Sequence, residues 1–198
     1  MPTVFDVATT LIERSGRSSM PTITLQKLCF YTFGWYAHLT GESLFPETFW
    51  AMEHGPVVGE LLSAHSGALE VTVEQLLPVF QAWDRPREEL SSYASAVVDA
   101  VMGYYDQFGR WDLEKKTHEE TIWKDAWAAR PTDSKRGRMT HQAIIAYFLA
   151  RTPGADEHME LPPRLISYLS ADDEARIEAE SGPCPEFIST MRELRRAA

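Results

Sequence analysis

Ile23 to Leu62 reads ITLQKLCFYTFGWYAHLTGESLFPETFWAMEHGPVVGELL, and this stretch decides the fold. Leu25, Leu28, Cys29, Thr32, Trp35, Tyr36 and Leu39 recur at helical spacing on one broad face, while Phe30, Tyr31 and Phe33 make the other side apolar too. A helix that is hydrophobic nearly all round belongs in the middle of a core. Thr24 is placed to cap its start, and Thr40-Gly41 ends it, glycine being the usual residue just past a helix. From Leu44 to Met52 the pattern becomes short, aromatic and proline-led, which predicts a short β-hairpin or extended connector near residues 44–56. His54-Gly55-Pro56 predicts a turn, with Pro56 as first residue of a third helix whose buried stripe is Val57, Val58, Leu61 and Leu62. Ser66-Gly67 closes that helix.

Working outward, Val4, Ala8, Leu11 and Ile12 predict a first amphipathic helix over 3–15 that stops at Gly16. The segment 70–83 fits either a helix interrupted at Pro78, the favoured reading, or a short strand and turn. Spacings of three and four from Leu90 to Phe108 predict a long helix over 88–108. Residues 112–129 make one helix, or two short ones meeting near Thr117-His118-Glu119-Glu120. Thr140 caps a helix carrying Ile144, Ile145, Tyr147, Phe148 and Leu149. Thr152-Pro153-Gly154 is the best boundary candidate, dividing a domain over 1–152 from an acidic helical extension over 153–198 with segments at 162–180 and 185–196. The expected fold is mostly α, a compact multi-helix domain around the central hydrophobic helix.

Composition supports a packed globule: hydrophobic residues make up 44% and aromatics 11% of 198 residues, ample for one core. Acids outnumber bases 29 to 19, a formal charge of -10, which repels phosphate backbones and suits a basic protein partner. No nucleic-acid partner is expected. The bases are unevenly placed, with five against one acid between Arg130 and Arg151. The island Lys135-Arg136-Gly137-Arg138 is read as a solvated loop. Two cysteines, Cys29 in an apolar helix and Cys184 between prolines, make no disulfide framework. The start MPTVFDVATT lacks the basic and apolar regions of a signal peptide, so a cytoplasmic location is expected. Leu25 to Leu39 is too short to span a membrane and carries Lys27 and His38.

Catalytic vocabulary is nearly absent. His118-Glu119-Glu120 resembles the start of a metalloprotease helix, but Ile122 stands where the second histidine belongs. Pro183-Cys184 has no second cysteine at the spacing of a zinc deaminase. No nucleophile elbow and no glycine-rich nucleotide loop occurs. No metal or cofactor is expected, and Cys29 reads as a small buried hydrophobe. Lys27, His38, His54, His118 and Glu119 are polar residues within or beside apolar runs. A helix-face lysine and capping histidines are the plainer reading of them. Trp35, Trp50, Trp123 and Trp127 are core or interface anchors, the residues on which protein-binding hot spots are built.

The segments Leu25-Gln26-Lys27-Leu28, Gly34-Trp35-Tyr36, Leu39-Thr40-Gly41 and Gly55-Pro56-Val57-Val58 occur in that order. Thr117-His118-Glu119 follows, with Trp123 and Ala126. In this combination the chain resembles the Panacea domain of phage-associated proteins over roughly residues 5–150. The resemblance implies an antitoxin, not an enzyme, that binds a cognate toxin protein encoded by the adjacent gene. Toxins paired with the family are described as diverse, so the role is implied more sharply than the target. The candidate partner-binding residues are Lys27, Trp50, His54, Gly55, Pro56, His118, Glu119 and Trp123. Two other functions remain open: an adapter delivering a partner to a protease, with the acidic tail as tether, and an enzyme using His54, His118 and Glu119.

Overall fold

The central helix follows from its apolar circumference. In the computed structural model, which describes residues 1–154 and 156–166, α2 (Thr22–Thr40) leaves only Thr22, Ile23, Tyr36 and His38 of its 19 residues unburied. Gly41 ends it in the left-handed region, φ 73°, its N–H reaching the Ala37 carbonyl. The elements packed most extensively on it are α1 (Val4–Arg14), β3 (Gly55–Val58), α5 (Ser92–Tyr105), α6 (Arg110–Glu119) and α8 (His141–Ala150). Phe30, Phe33, Phe45, Phe49 and Phe148 interlock edge to face or tilted around it. Each such burial contributes about 1.5–3 kcal/mol of transfer free energy.

The other elements are short. Thr3 caps α1 in a reciprocal box with Asp6, as expected from a threonine followed three residues later by an acid. β1 (Met20–Pro21) pairs antiparallel with β4 (Glu70–Val71). β2 (Phe49–Met52) pairs with β3 and with β5 (Gly137–Met139), giving the order β3-β2-β5. α3 (Gly59–Ala64), α4 (Val73–Ala82) and α7 (Thr121–Ala128) complete the set. The architecture is mostly α with small antiparallel sheets, as the sequence predicts.

Several local expectations are corrected. α2 begins at Thr22, not after a Thr24 cap, because β1 delivers the chain directly into it through Pro21. Gly55-Pro56 does not restart a helix. It opens β3, paired Met52 to Gly55 and Ala51 to Pro56, with Glu53 and His54 at the hairpin tip. Pro56 is tolerated because β3 is an edge strand. The helix waits until Gly59. The segment 70–83 is strand and then an unbroken α4 containing Pro78. Its Thr72–Gln75 capping box and the burial of Leu76 and Phe80 outweigh the lost hydrogen bond. The long helix is trimmed to α5 because Ser91 caps it, while the Glu88 N–H donates to Asp6 Oδ1 at 2.7 Å. The basic island is not all loop, since Gly137 and Arg138 enter β5. Of the two readings of 112–129, two helices hold, joined at Glu120.

Residues Met1–Ile166 form one compact unit. Beyond α8 the chain lies back on the core: the Leu165 N–H donates to the Leu39 carbonyl at 2.8 Å and the Tyr93 hydroxyl to the Pro163 carbonyl at 2.6 Å. The helices expected over 162–180 and 185–196 lie almost wholly outside the described residues, as does Cys184. No described helix is long and apolar enough to cross a membrane.

Candidate functional site

Lys27 sits on the face of α2 that meets the β2–β3 hairpin. Its side chain is 1% exposed, and its Nζ donates to the Pro56 carbonyl at 3.0 Å. Burial in so apolar a place pushes its pKa down to about 7, against the opposing pull of Glu114. Gly55 makes this approach possible. At φ 96° a Cβ there would lie 2.7 Å from Thr117 Oγ1 and 2.8 Å from Lys27 Nζ. The glycine signature therefore records close packing of the hairpin on α2 and α6.

α6 supplies the other wall. Glu114, Thr117 and His118 share one helical face by their spacing of three and four. Glu114 Oε1 contacts exposed His54 Nδ1 at 3.1 Å, tying the hairpin tip to the helix. His118 is half-buried, its ring stacked on Trp123 at 4.0 Å between centroids and 12° between planes. Burial lowers its pKa, Glu114 opposing, which keeps the imidazole neutral near pH 7. Glu114 Oε2 and His118 Nε2 are buried without a hydrogen-bond partner, unusual for buried polar atoms. Trp123 donates its indole N–H to the Met52 carbonyl at 3.1 Å and stacks in turn on Trp127.

Beside this cluster lies a cavity of about 510 Å³ between α2, the hairpin, α3 and the chain from α7 to β5. Ile23, Val57, Leu62 and Trp127 give it apolar walls. Gln26 closes one side, accepting the Val58 N–H at 2.8 Å and meeting His65 Nε2 at 3.0 Å. Six of the eight candidate residues, Lys27, His54, Gly55, Pro56, His118 and Trp123, thus converge on the hairpin tip. Trp50 is on the same outward face of β2 as Met52 but farther along. It packs against Gly59, with the Arg136 guanidinium 4.4 Å from its ring. Glu119 is exposed and lines a different hollow, with Glu120, Tyr147 and Arg151. His54, His118 and Glu119 therefore do not form one triad.

Sequence reasoning passed over Glu114, although its register with Thr117 and His118 was a usable signal. It also missed a buried network. Glu120 accepts from the Tyr31 hydroxyl at 3.2 Å, from Arg151 at 3.1 Å and from the Tyr147 hydroxyl. Arg151 clamps Glu157 with two bonds, 2.8 and 2.9 Å, and Glu157 also accepts from the Tyr105 hydroxyl at 2.7 Å. Cys29 is buried, and burial together with Glu47 pushes its thiol pKa up, so it is no nucleophile at neutral pH. Among the described residues no group of three or more His, Cys, Asp and Glu is placed to hold a metal ion.

A buried lysine, a glycine at positive φ and stacked His-Trp-Trp rings pack the hairpin tip closely against α2, α6 and α7. No curated protein and no solved structure matches the chain. A family model described as antitoxin SocA-like, Panacea domain, matches residues 25–124, from the first turns of α2 into α7. That span is just over half of the 198 residues and contains all eight candidate residues. The chain belongs to the antitoxin SocA-like, Panacea domain family.

Proposed function

We propose that this protein is an antitoxin that neutralises a toxin protein encoded by the adjacent gene, by binding it directly through the hairpin tip and the α6–α7 face. The family match over residues 25–124 carries this reading. Two part-exposed tryptophans support it, Trp127 lining the hollow and Trp50 on the outward face of β2, the residue type on which binding hot spots are built. The role is stoichiometric binding and not catalysis, and the net charge of -10 suits a predominantly basic partner met in the cytoplasm.

Co-expression with the adjacent gene is the test. The neighbour alone arrests growth, this chain relieves the arrest, and the two co-purify. A harmless neighbour, or arrest unrelieved with no co-purification, overturns the reading. The half-life of the neighbour's product distinguishes blocking from delivery to a protease: blocking leaves it unchanged or longer, whereas protease-dependent shortening would make this chain an adapter.

A further inference from the structure

The cavity beside the hairpin tip has a charge opposite in sign to the chain as a whole. Arg130 and Lys135 face it, with Lys27 buried in its wall, against the single carboxylate of Glu53, in a protein of formal charge -10. Neither Arg130 nor Lys135 takes part in an ion pair among the described residues. Arg130 is held in place without a carboxylate: its guanidinium lies 3.5 Å from the Trp127 ring centroid, and one nitrogen donates to the Trp127 carbonyl at 2.5 Å. That leaves most of its donors unassigned. Between these cations the walls are Ile23, Val57, Leu62 and Trp127.

We propose that this cavity is the docking pocket for an acidic-apolar segment of the toxin. One aromatic or branched aliphatic side chain sits against Ile23, Val57, Leu62 and Trp127, and an adjacent Asp or Glu carboxylate pairs with Arg130 and Lys135. The proposal rests on the antitoxin reading and adds to it the chemistry of the contact. A volume of about 510 Å³ accepts such a side chain with part of its backbone. Charge complementarity selects the segment. An acidic exterior repels acidic proteins in general, so only a partner with a local acidic tip within a basic surround meets both signs at once. The planar guanidinium over Trp127 is preorganised for two parallel bonds to a carboxylate. Arg130 and Lys135 lie beyond the span of the family match.

Two measurements on the full chain test it. The first uses 4-phenylbutyrate as probe, an aryl body with one carboxylate, followed through the Trp127 indole N–H by NMR. Binding shifts that signal, and 4-phenylbutyramide and 4-phenylbutylamine bind about tenfold more weakly or worse, the effect of losing one charge-assisted bond. The second uses the purified product of the adjacent gene. Arg130→Glu with Lys135→Glu, at two residues without an ion-pair partner among the described residues, weakens its binding about tenfold or more. Ile23→Trp, which fills the hollow without changing charge, weakens both probe and toxin. Thermal melts of each variant confirm that it is folded. Equal binding of carboxylate and amide, or wild-type toxin affinity in both the charge-reversed and the filled variants, overturns the proposal and leaves the antitoxin reading standing. A neighbouring protein that the wild type does not bind overturns the antitoxin reading itself, while the probe still reports on the cavity independently.

Discussion

Lys27 is where local chemistry and fold are most tightly coupled. Folding takes its ammonium from water into a place where, among the described residues, its Nζ has one hydrogen-bond acceptor, the Pro56 carbonyl, and its pKa falls from 10.5 to about 7. Below about pH 7 the folded and unfolded chains both hold this proton, and the burial cost is borne in full. Above it the folded lysine is neutral while the unfolded one stays charged up to its own pKa, so the unfolded state binds more protons and stability rises with pH. Relative to Lys27→Met, wild type should gain about 1.4 kcal/mol per pH unit between about pH 7 and about pH 9, measured by urea unfolding. Parallel pH profiles for the two proteins would rule the coupling out. Gly55 beside it belongs to the same argument. Gly55→Ala forces φ 96° on a residue with a Cβ and drives that Cβ into Thr117 and Lys27, a loss of about 1–3 kcal/mol in the same assay. The sequence singled out Lys27 as a polar residue in an apolar run, but a helix-face lysine was the plainer reading. What it lacked was the packing of the hairpin on α2, which removes the solvent face.

Helices and strands here meet at glycines, and only the partner explains the glycine. Gly34 lies within the Gly-Trp-Tyr segment of the family resemblance, yet its physical reason is α8: a Cβ there would sit 2.2–2.5 Å from the Phe148 ring atoms. Gly34→Ala must displace the ring or separate the helices, and overpacking of this kind costs about 1–3 kcal/mol. The double variant Gly34→Ala with Phe148→Leu should lose less than the sum of the single losses, because the smaller side chain makes room. Strict additivity in denaturant unfolding would show that the two do not share the contact. Gly137 does the same between β5 and α7, where a Cβ would come 2.0 Å from the Ala126 carbonyl oxygen. This contact is why a segment with the composition of a solvated loop is a strand. The apolar helices α1, α2 and α8 were legible because their period is written locally, as are the Thr140 cap of α8 and the Gly41 end of α2. The strands were legible only in part: a short hairpin or extended connector was expected near residues 44–56, but β1 and β5 were not, since β2 pairs with β5 far along the chain and Pro56 serves a sheet edge as well as it would a helix start.

Across the whole molecule, one arginine joins parts that the sequence kept separate. Arg151 counted there as one base among five in a basic stretch. In the fold it lies between Glu120 at the α6–α7 joint and Glu157 after α8, its guanidinium 4.8 Å from the Trp35 ring of α2. Its side chain is 15% exposed and the two carboxylates 7% and 10%. The Glu157 N–H donates to the Gly154 carbonyl at 2.9 Å and its carboxylate accepts the Gly154 N–H at 3.0 Å, and the chain beyond belongs to the same compact unit as far as Ile166. Burial pushes the Glu157 pKa up, but hydrogen bonds from Arg151, Gly154 and Tyr105 outweigh it and hold the carboxyl below its usual 4.5. That contribution is present above about pH 4.5 and is lost as pH falls through the lower folded pKa. Arg151→Met leaves two buried carboxylates without their shared cation, and should lower stability at neutral pH by about 3–5 kcal/mol. The deficit relative to wild type should narrow as pH falls below about 4.5, because acid removes from wild type what the variant has already lost. Glu157→Gln in the Arg151→Met background should recover part of the loss by removing one unpaired charge. Urea unfolding of the four proteins at neutral and acidic pH decides it: a pH-independent deficit, or no recovery in the double variant, would mean that Arg151 acts through its packing on Trp35 and not through the carboxylates.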